Sequence, residues 1–265
     1  MFANYMSQAT IVIPLLQQKP EWLEQSVRSA LDQTAPCEVV VVQAHGTPSN
    51  NRQALSRLQA DHEQLGVVTA GPDCGYACAF NLGIEKAWTE RVGFLLADDW
   101  LEPDAVELCL RCDVDIVSTQ MHIVDSDGSA VLETGAITWA GFSGKANLHE
   151  QADYLGHFLL FKRDKLLSVG GVDTSIGATG PDDFDLLWTL LEHGASVTIV
   201  EKPLYNYRDH TENWRLSLKP ATQQMMNLER ILDKHGFPES MREVVRCKHG
   251  RWFGKSIAQV RSGTS

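Results

Sequence analysis

The stretch Val92-Gly93-Phe94-Leu95-Leu96-Ala97-Asp98-Asp99-Trp100 decides the fold. It opens with an unbroken apolar run, the pattern of a strand buried on both faces of a parallel sheet. Asp98 and Asp99 follow at the carboxyl end of that strand, where open α/β sheets gather their ligands. Two acids there can hold a divalent cation and, with it, a diphosphate. The same two acids also suit a plain turn before the helix that Pro103 announces, since acidic residues favour turns and helix starts.

Working back toward the N-terminus, strand and helix alternate. Thr10-Ile11-Val12-Ile13 is a short β-branched run, and Pro20 opens a helix to about Thr34 with Trp22, Leu23, Val27, Ala30 and Leu31 on one face. Glu38 to Val42 is the second strand, a helix burying Ala54, Leu55 and Leu58 follows, and Val67-Val68 marks the third strand. Gly75 to Trp88 reads as the next helix. Beyond the opening stretch come a helix near Asp104 to Cys112 and the apolar strand Ile116-Val117-Ser118. Helical crossovers of this length imply right-handed connections and a parallel sheet, so residues 9–118 are expected to form a Rossmann-like nucleotide-binding half.

Past that point the pattern changes. Asp127-Gly128 between two apolar runs predicts a hairpin, the small antiparallel element of the fold. An aperiodic stretch from Gly135 to Gln151 is of a length associated with binding loops or lids. Phe158 to Phe161 reads as a buried strand, a helix from Asp183 ends at His193 with Gly194 as its C-cap, and the strand Val197–Val200 and the segment Leu204–Arg208 follow. A main domain over 1–218, its second half about 119–218 facing the acceptor, is expected to carry a helical C-terminal extension over 219–265.

Composition excludes several classes. With 43% hydrophobic and 22% charged residues the chain is globular rather than disordered, and a net charge of -11 without a basic block argues against nucleic acid as a partner. No apolar stretch approaches the ~20 residues a membrane span requires, and Met1 to Gln8 lacks the makings of a signal peptide, so a cytoplasmic protein is expected. Peripheral membrane contact and a homodimer stay open. Six cysteines, at 37, 74, 78, 109, 112 and 247, are expected to be reduced, because a chain of this size needs no staples and the spacing matches no zinc ribbon.

Six pieces in order then carry a resemblance. They are Thr10 to Pro14 with a helix ending Ala30-Leu31-Asp32-Gln33-Thr34; Gly75 to Ala79 with Asn81 and Gly83-Ile84; Phe94-Leu95 with Asp98-Asp99 and Pro103; Gly170-Gly171-Val172-Asp173; Asp182-Asp183-Phe184-Asp185-Leu186; and Tyr207-Arg208-Asp209-His210. Over about residues 9–235 the chain resembles the family 2 glycosyltransferases. The resemblance implies a GT-A fold, with a mostly parallel Rossmann-like sheet flanked by helices. It also implies an inverting transferase of the kind that serves polysaccharide biosynthesis, moving a sugar from a nucleotide-sugar donor to the hydroxyl of a glycan or other acceptor.

Residue by residue, it implies that Asp99 binds Mn²⁺ or Mg²⁺ with His210, and that Asp98 contacts the donor sugar or ribose. Such a metal would neutralise the leaving diphosphate. Arg208, two positions before His210, would face the diphosphate, while Pro14, Leu15, Gln43 and Asn81 would line the donor. Asp183 is expected to be the general base, since inversion needs a carboxylate behind the anomeric carbon to take the acceptor's proton. A helix N-terminus would lower its pKa, and Asp182 and Asp185 would raise it. Asp182, Trp139 and Trp214 are the expected acceptor contacts, with Phe142 as a further aromatic candidate.

The chain also departs from that family. Gln43 stands where an acid usually reads the nucleobase, Leu15-Leu16 replace a polar and aromatic pair, Phe80 replaces an arginine, and Leu96 takes the first acid of the acid-any-acid pattern. The nucleotide end is altered and the catalytic end kept, so a catalytically degenerate domain that binds carbohydrate or protein is the alternative. A sugar-phosphate nucleotidyltransferase is excluded, because Pro14-Leu15-Leu16-Gln17-Gln18 lacks the glycines of a triphosphate loop.

Overall fold

The computed structural model describes residues 7–133, 137–176, 181–210, 221–251, 253, 255 and 260. Four strands form the parallel half: β1 (Ala9–Leu15), β2 (Cys37–Gln43), β3 (Leu65–Thr69) and β4 (Arg91–Phe94), in spatial order β3-β2-β1-β4. Between them run α1 (Pro20–Leu31), α2 (Ser49–Asp61) and α3 (Tyr76–Lys86). Proline at the first position of α1 pre-sets its backbone and wastes no N–H. Gly83 lets α3 lie directly on β1: a Cβ there would sit 2.2 Å from Cγ1 of Val12.

The remaining strands are β5 (Trp100–Leu101), β6 (Ile116–Val124), β7 (Ala130–Glu133), β8 (Leu159–Lys162) and β9 (Val197–Arg208). The sheet continues β4-β8-β6-β9-β5, with β7 on β6. β8 pairs antiparallel with both β4 and β6, while β6 and β9 run parallel. The result is a mixed sheet flanked by helices, as the expected GT-A fold requires. The hairpin expected at Asp127-Gly128 forms between β6 and β7, with Gly128 at φ 86°. β6 passes straight through position 118, so the two halves share a strand. β9 joins the expected strand Val197–Val200 and the segment Leu204–Arg208 in one strand.

Alternate strand residues supply two cores. Ile11, Ile13, Val39 and Val41 pack with Leu23, Val27, Leu55 and Leu58 of α1 and α2, whereas Val12, Val40 and Val42 pack with Phe80 and Ile84 of α3 on the other face. The second core extends to α8 (Asp182–Glu192) and α9 (Ala221–Lys234). Four shorter helices, α4 (Ala105–Leu110), α5 (Trp139–Ser143), α6 (Leu148–Gln151) and α7 (Arg163–Ser168), lie between the strands, and α10 (Glu239–Gly250) follows α9. Leu228, Ile231, Leu232 and Phe237 are buried in this core, so the segment expected as an extension packs against the sheet's helices. Among the described residues no helix is long and apolar enough to cross a membrane.

One expectation is corrected. Cys74 and Cys78 form a disulfide, not two free thiols. Cys74 stands just before Gly75, the N-cap of α3, and Cys78 lies in the first turn of the helix; the chain turning into α3 brings their Cα atoms to 5.2 Å. The other four cysteines are free.

Candidate functional site

The acid pair sits in the turn between β4 and β5, and two serines of α1 with Gln33 just beyond its end hold that turn. Ser26 Oγ donates to the Leu96 carbonyl at 2.9 Å, Ser29 Oγ accepts from Leu101 N at 3.1 Å, and Gln33 bonds both the Glu102 carbonyl and Val106 N. These bonds account for the polar residues on an otherwise apolar helix face. They brace the backbone on both sides of Asp98 and Asp99.

The two carboxylates point to different partners. Asp99 is 1% exposed; its Oδ1 accepts the backbone N–H of Arg208 at 2.7 Å and its Oδ2 accepts the Tyr205 hydroxyl. Burial, then the neighbouring charge of Asp98, raises its carboxyl well above the ordinary range against the pull of those two donors. Asp98 instead reaches His210, with Oδ2 3.0 Å from Nε2. The side chain that meets the histidine is therefore Asp98, while Asp99 ties the turn to the end of β9.

Arg208 is a clamp inside this arrangement. Nε donates to the Asp98 carbonyl at 2.9 Å, Nη1 to the Ser126 carbonyl at 2.8 Å and Nη2 to Gln25 Oε1 at 2.6 Å. Its guanidinium lies between Trp22 and Trp100, 4.7 and 4.8 Å from their ring centroids. Trp22 also meets the His210 ring at 4.6 Å. A flat, delocalised cation suits such stacking where lysine would not.

Asp182 and Asp183 open α8. Burial first, then Asp183 and Asp185, push Asp182 up to about 7. Asp183 meets solvent, and its Oδ1 accepts the Phe184 N–H at 2.9 Å; the surrounding protein still raises its carboxyl. Desolvation thus outweighs the helix N-terminus that was expected to lower it. Half-buried Tyr76, in the first turn of α3, joins the two acidic groups: Asp98, Asp99 and Asp182 all act on its phenol, which burial and those charges raise.

The other expected residues fall in three places. At the nucleobase end, Gln43 donates to Thr69 Oγ1 at 2.8 Å and its Oε1 is buried without a partner, while Pro14 and Leu15 are buried and Leu16 is the exposed leucine. Asn81 is occupied elsewhere: its amide donates to the Val172 carbonyl at 2.7 Å and accepts the Val172 N–H at 2.8 Å. Trp139 is exposed, stacked on buried Phe142, and its backbone N–H donates to Glu201, seven residues before Arg208 on β9. At ~3.3 Å per residue, that places it roughly 20 Å along the strand from the acid pair. Trp214 lies outside the described residues.

Residues 10–237 match the model of the family described as Glycosyltransferase like family 2. The chain belongs to this family. Relatives of this family 2 chain include a hyaluronan synthase of Pasteurella multocida, 31% identical over 72% of the chain and 19% of that protein. A chondroitin synthase of the Pm70 strain is 28% identical over 78% of the chain and 21% of that protein. The chain spans between 16% and 30% of the length of these and two other curated relatives. Among solved structures, the family 2 chain resembles a mannosyltransferase of Pyrobaculum calidifontis in complex with GDP-Man and Mn²⁺ (TM-score 0.66, 18% identity, 98% of this chain and 75% of that one). It also resembles S. aureus TarS 1–349 with UDP-GlcNAc (TM-score 0.67, 14% identity, 97% and 73%). At these identities the likeness is one of fold.

Sequence reasoning gave no site role to Tyr76, Tyr205, Trp22, Trp100 or Gln25. Trp22 was read only as part of a core face, which it also is, at 7% exposed. The alternation of Tyr205 and Tyr207 along β9 was the available signal for the tyrosines.

Proposed function

We propose that the family 2 domain is an inverting glycosyltransferase that moves a sugar from a nucleoside-diphosphate donor to an acceptor hydroxyl. The observation that carries this is the contact of Asp98 with His210, together with the charges of Asp98, Asp99 and Asp182 all acting on the Tyr76 phenol, which supports reading the two acidic groups as parts of one site. A carboxylate oxygen and an imidazole nitrogen 3.0 Å apart fit Mn²⁺ better than Mg²⁺, which keeps to oxygen ligands. Asp98 and His210 would hold the ion, and Asp99 and Arg208 would position them, which reverses the roles expected of the two aspartates. When bound, the ion offsets the charge of the departing diphosphate.

Asp183 takes the acceptor's hydroxyl proton as that oxygen bonds to the anomeric carbon. The bond from that carbon to the diphosphate breaks on the opposite face, and its electron pair leaves with the phosphate. Configuration at the carbon inverts. Solvent access lets an acceptor reach Asp183, and its raised affinity for protons makes it a stronger base than a free carboxylate. At the other end, the unpartnered Gln43 Oε1 suits a nucleobase with a ring N–H, which favours uridine or guanosine diphosphates over cytidine.

The reading is tested by thermal stabilisation with UDP and GDP, with and without Mn²⁺. At about 100 times the dissociation constant a bound nucleotide adds ~2.7 kcal/mol. The gain is expected for the natural chain and is expected to vanish in Asp98→Asn. No gain with any nucleotide would instead support a domain that has kept the fold for binding carbohydrate or protein.

A further inference from the structure

A second cluster lies at the far end of the helix that carries Asp183. Glu192 ends α8, about 15 Å from its first residue at 1.5 Å per position. Its two oxygens meet two imidazoles, Oε1 at 2.8 Å from His149 Nε2 and Oε2 at 2.8 Å from His235 Nδ1. One ligand atom from each residue lies within 4.8 Å of the others. His149 comes from α6 and His235 follows α9, so three separate elements converge.

We propose that His149, Glu192 and His235 form a zinc site, distinct from the donor site, that fastens the α9 segment to the transferase core. Two imidazoles and a carboxylate are a ligand set suited to Zn²⁺ and poorly suited to Mg²⁺ or Ca²⁺. A tetrahedral site with bonds near 2.0–2.1 Å has ligand edges of about 3.3 Å, so the 2.8 Å contacts open by about half an ångström while the wider separations, within 4.8 Å, close toward that edge. The outer partners match as well. His235 Nε2 is 3.0 Å from Oδ1 of buried Asp185, and His149 Nδ1 is 3.2 Å from Asn147 Oδ1. Each ring therefore has its remaining nitrogen fixed by a side-chain oxygen, the arrangement that orients metal-bound histidines.

The surroundings fit a site that is rigid on one side and open on the other. His235 is 1% exposed, with Trp188 5.5 Å away, and Phe237 is 4.2 Å from His149. On the open side a hollow of about 420 Å³ is lined by both histidines, Asn147, Phe237 and Met241. It leaves room for a water or an exogenous ligand in the fourth position. The site is structural in this proposal, because none of its ligands touches the acid pair or Asp183.

The experiment titrates Zn²⁺ into metal-stripped full-length protein against a chromophoric chelator, in an Asp98→Asn background that removes the proposed donor-site metal. One Zn²⁺ per chain is expected, with a rise in melting temperature that Mg²⁺ does not give. Glu192→Gln and His149→Gln, both at partly exposed side chains, should each weaken binding at least tenfold and abolish that rise. Absence of stoichiometric Zn²⁺ in the Asp98→Asn protein, or unchanged affinity in both glutamine variants, would overturn the site and leave only an ion-pair network. Because the readouts are binding and melting, they are independent of whether transfer is observed.

Discussion

Asp182 and Asp183 are neighbours in sequence with different surroundings, and the difference has a pH consequence. Burial and two nearby acids push Asp182 to about 7 from an ordinary 3.8, and Asp183 is raised with it. A base whose pKa is raised is lost on acidification, so the transfer rate should fall as pH drops through about 7, with the apparent pKa belonging to the pair. For stability the sign is opposite. The folded state holds the Asp182 proton more tightly than the unfolded chain, so ionisation costs stability as pH rises from about 4 past 7. Asp182→Asn should therefore melt higher than the natural chain at pH 8 and no higher at pH 4, and its acid limb should move to lower pH. A limb and a melting difference both unchanged by the substitution would show that the pair is not coupled.

At the scale of elements, the motif Gly170-Gly171-Val172-Asp173 is explained by α3. Gly171 has φ 73°, and a Cβ there would lie 2.3 Å from Asn81 Oδ1, the atom that accepts the Val172 N–H. Gly171→Ala should lower stability by about 1–3 kcal/mol in denaturant titration. Asn81→Ala should cost a similar amount, because it leaves the Val172 N–H and carbonyl unpaired. The parallel half was legible in the sequence because β1, β2 and β4 are apolar runs separated by amphipathic helices, and Asp98-Asp99 stood out at the end of one. The roles within the site were less legible. Whether Asp98 or Asp99 faces inward depends on Arg208 and Tyr205, more than 100 residues away. Asn81 looked like a donor contact because its partner, Val172, is 91 residues distant. The Cys74–Cys78 bridge was missed because chain size was taken to make staples unnecessary and the spacing was otherwise weighed only against zinc ribbons.

For the whole molecule, α9 is joined to the core of the family 2 domain by both apolar and polar contacts. Leu228, Ile231 and Leu232 are fully buried, and Lys234 bonds Asp173 at 2.9 Å and Asp185 at 2.8 Å. A chain truncated after 218 should therefore lose its cooperative thermal transition, whereas a separable extension would leave it intact. These contacts also tie α8, and with it the placement of Asp182 and Asp183, to the C-terminal segment.

The central claim is that one site binds the donor through Asp98 and His210 and activates the acceptor through Asp183. The measurement that reaches it most directly is a comparison of donor affinity and turnover in Asp183→Asn, using a donor selected by the Mn²⁺-dependent nucleotide test. Affinity should stay within about twofold of the natural chain while kcat falls by about 10²–10⁴, the usual contribution of a general base. Turnover close to that of the natural chain, with the donor bound as before, would contradict the account.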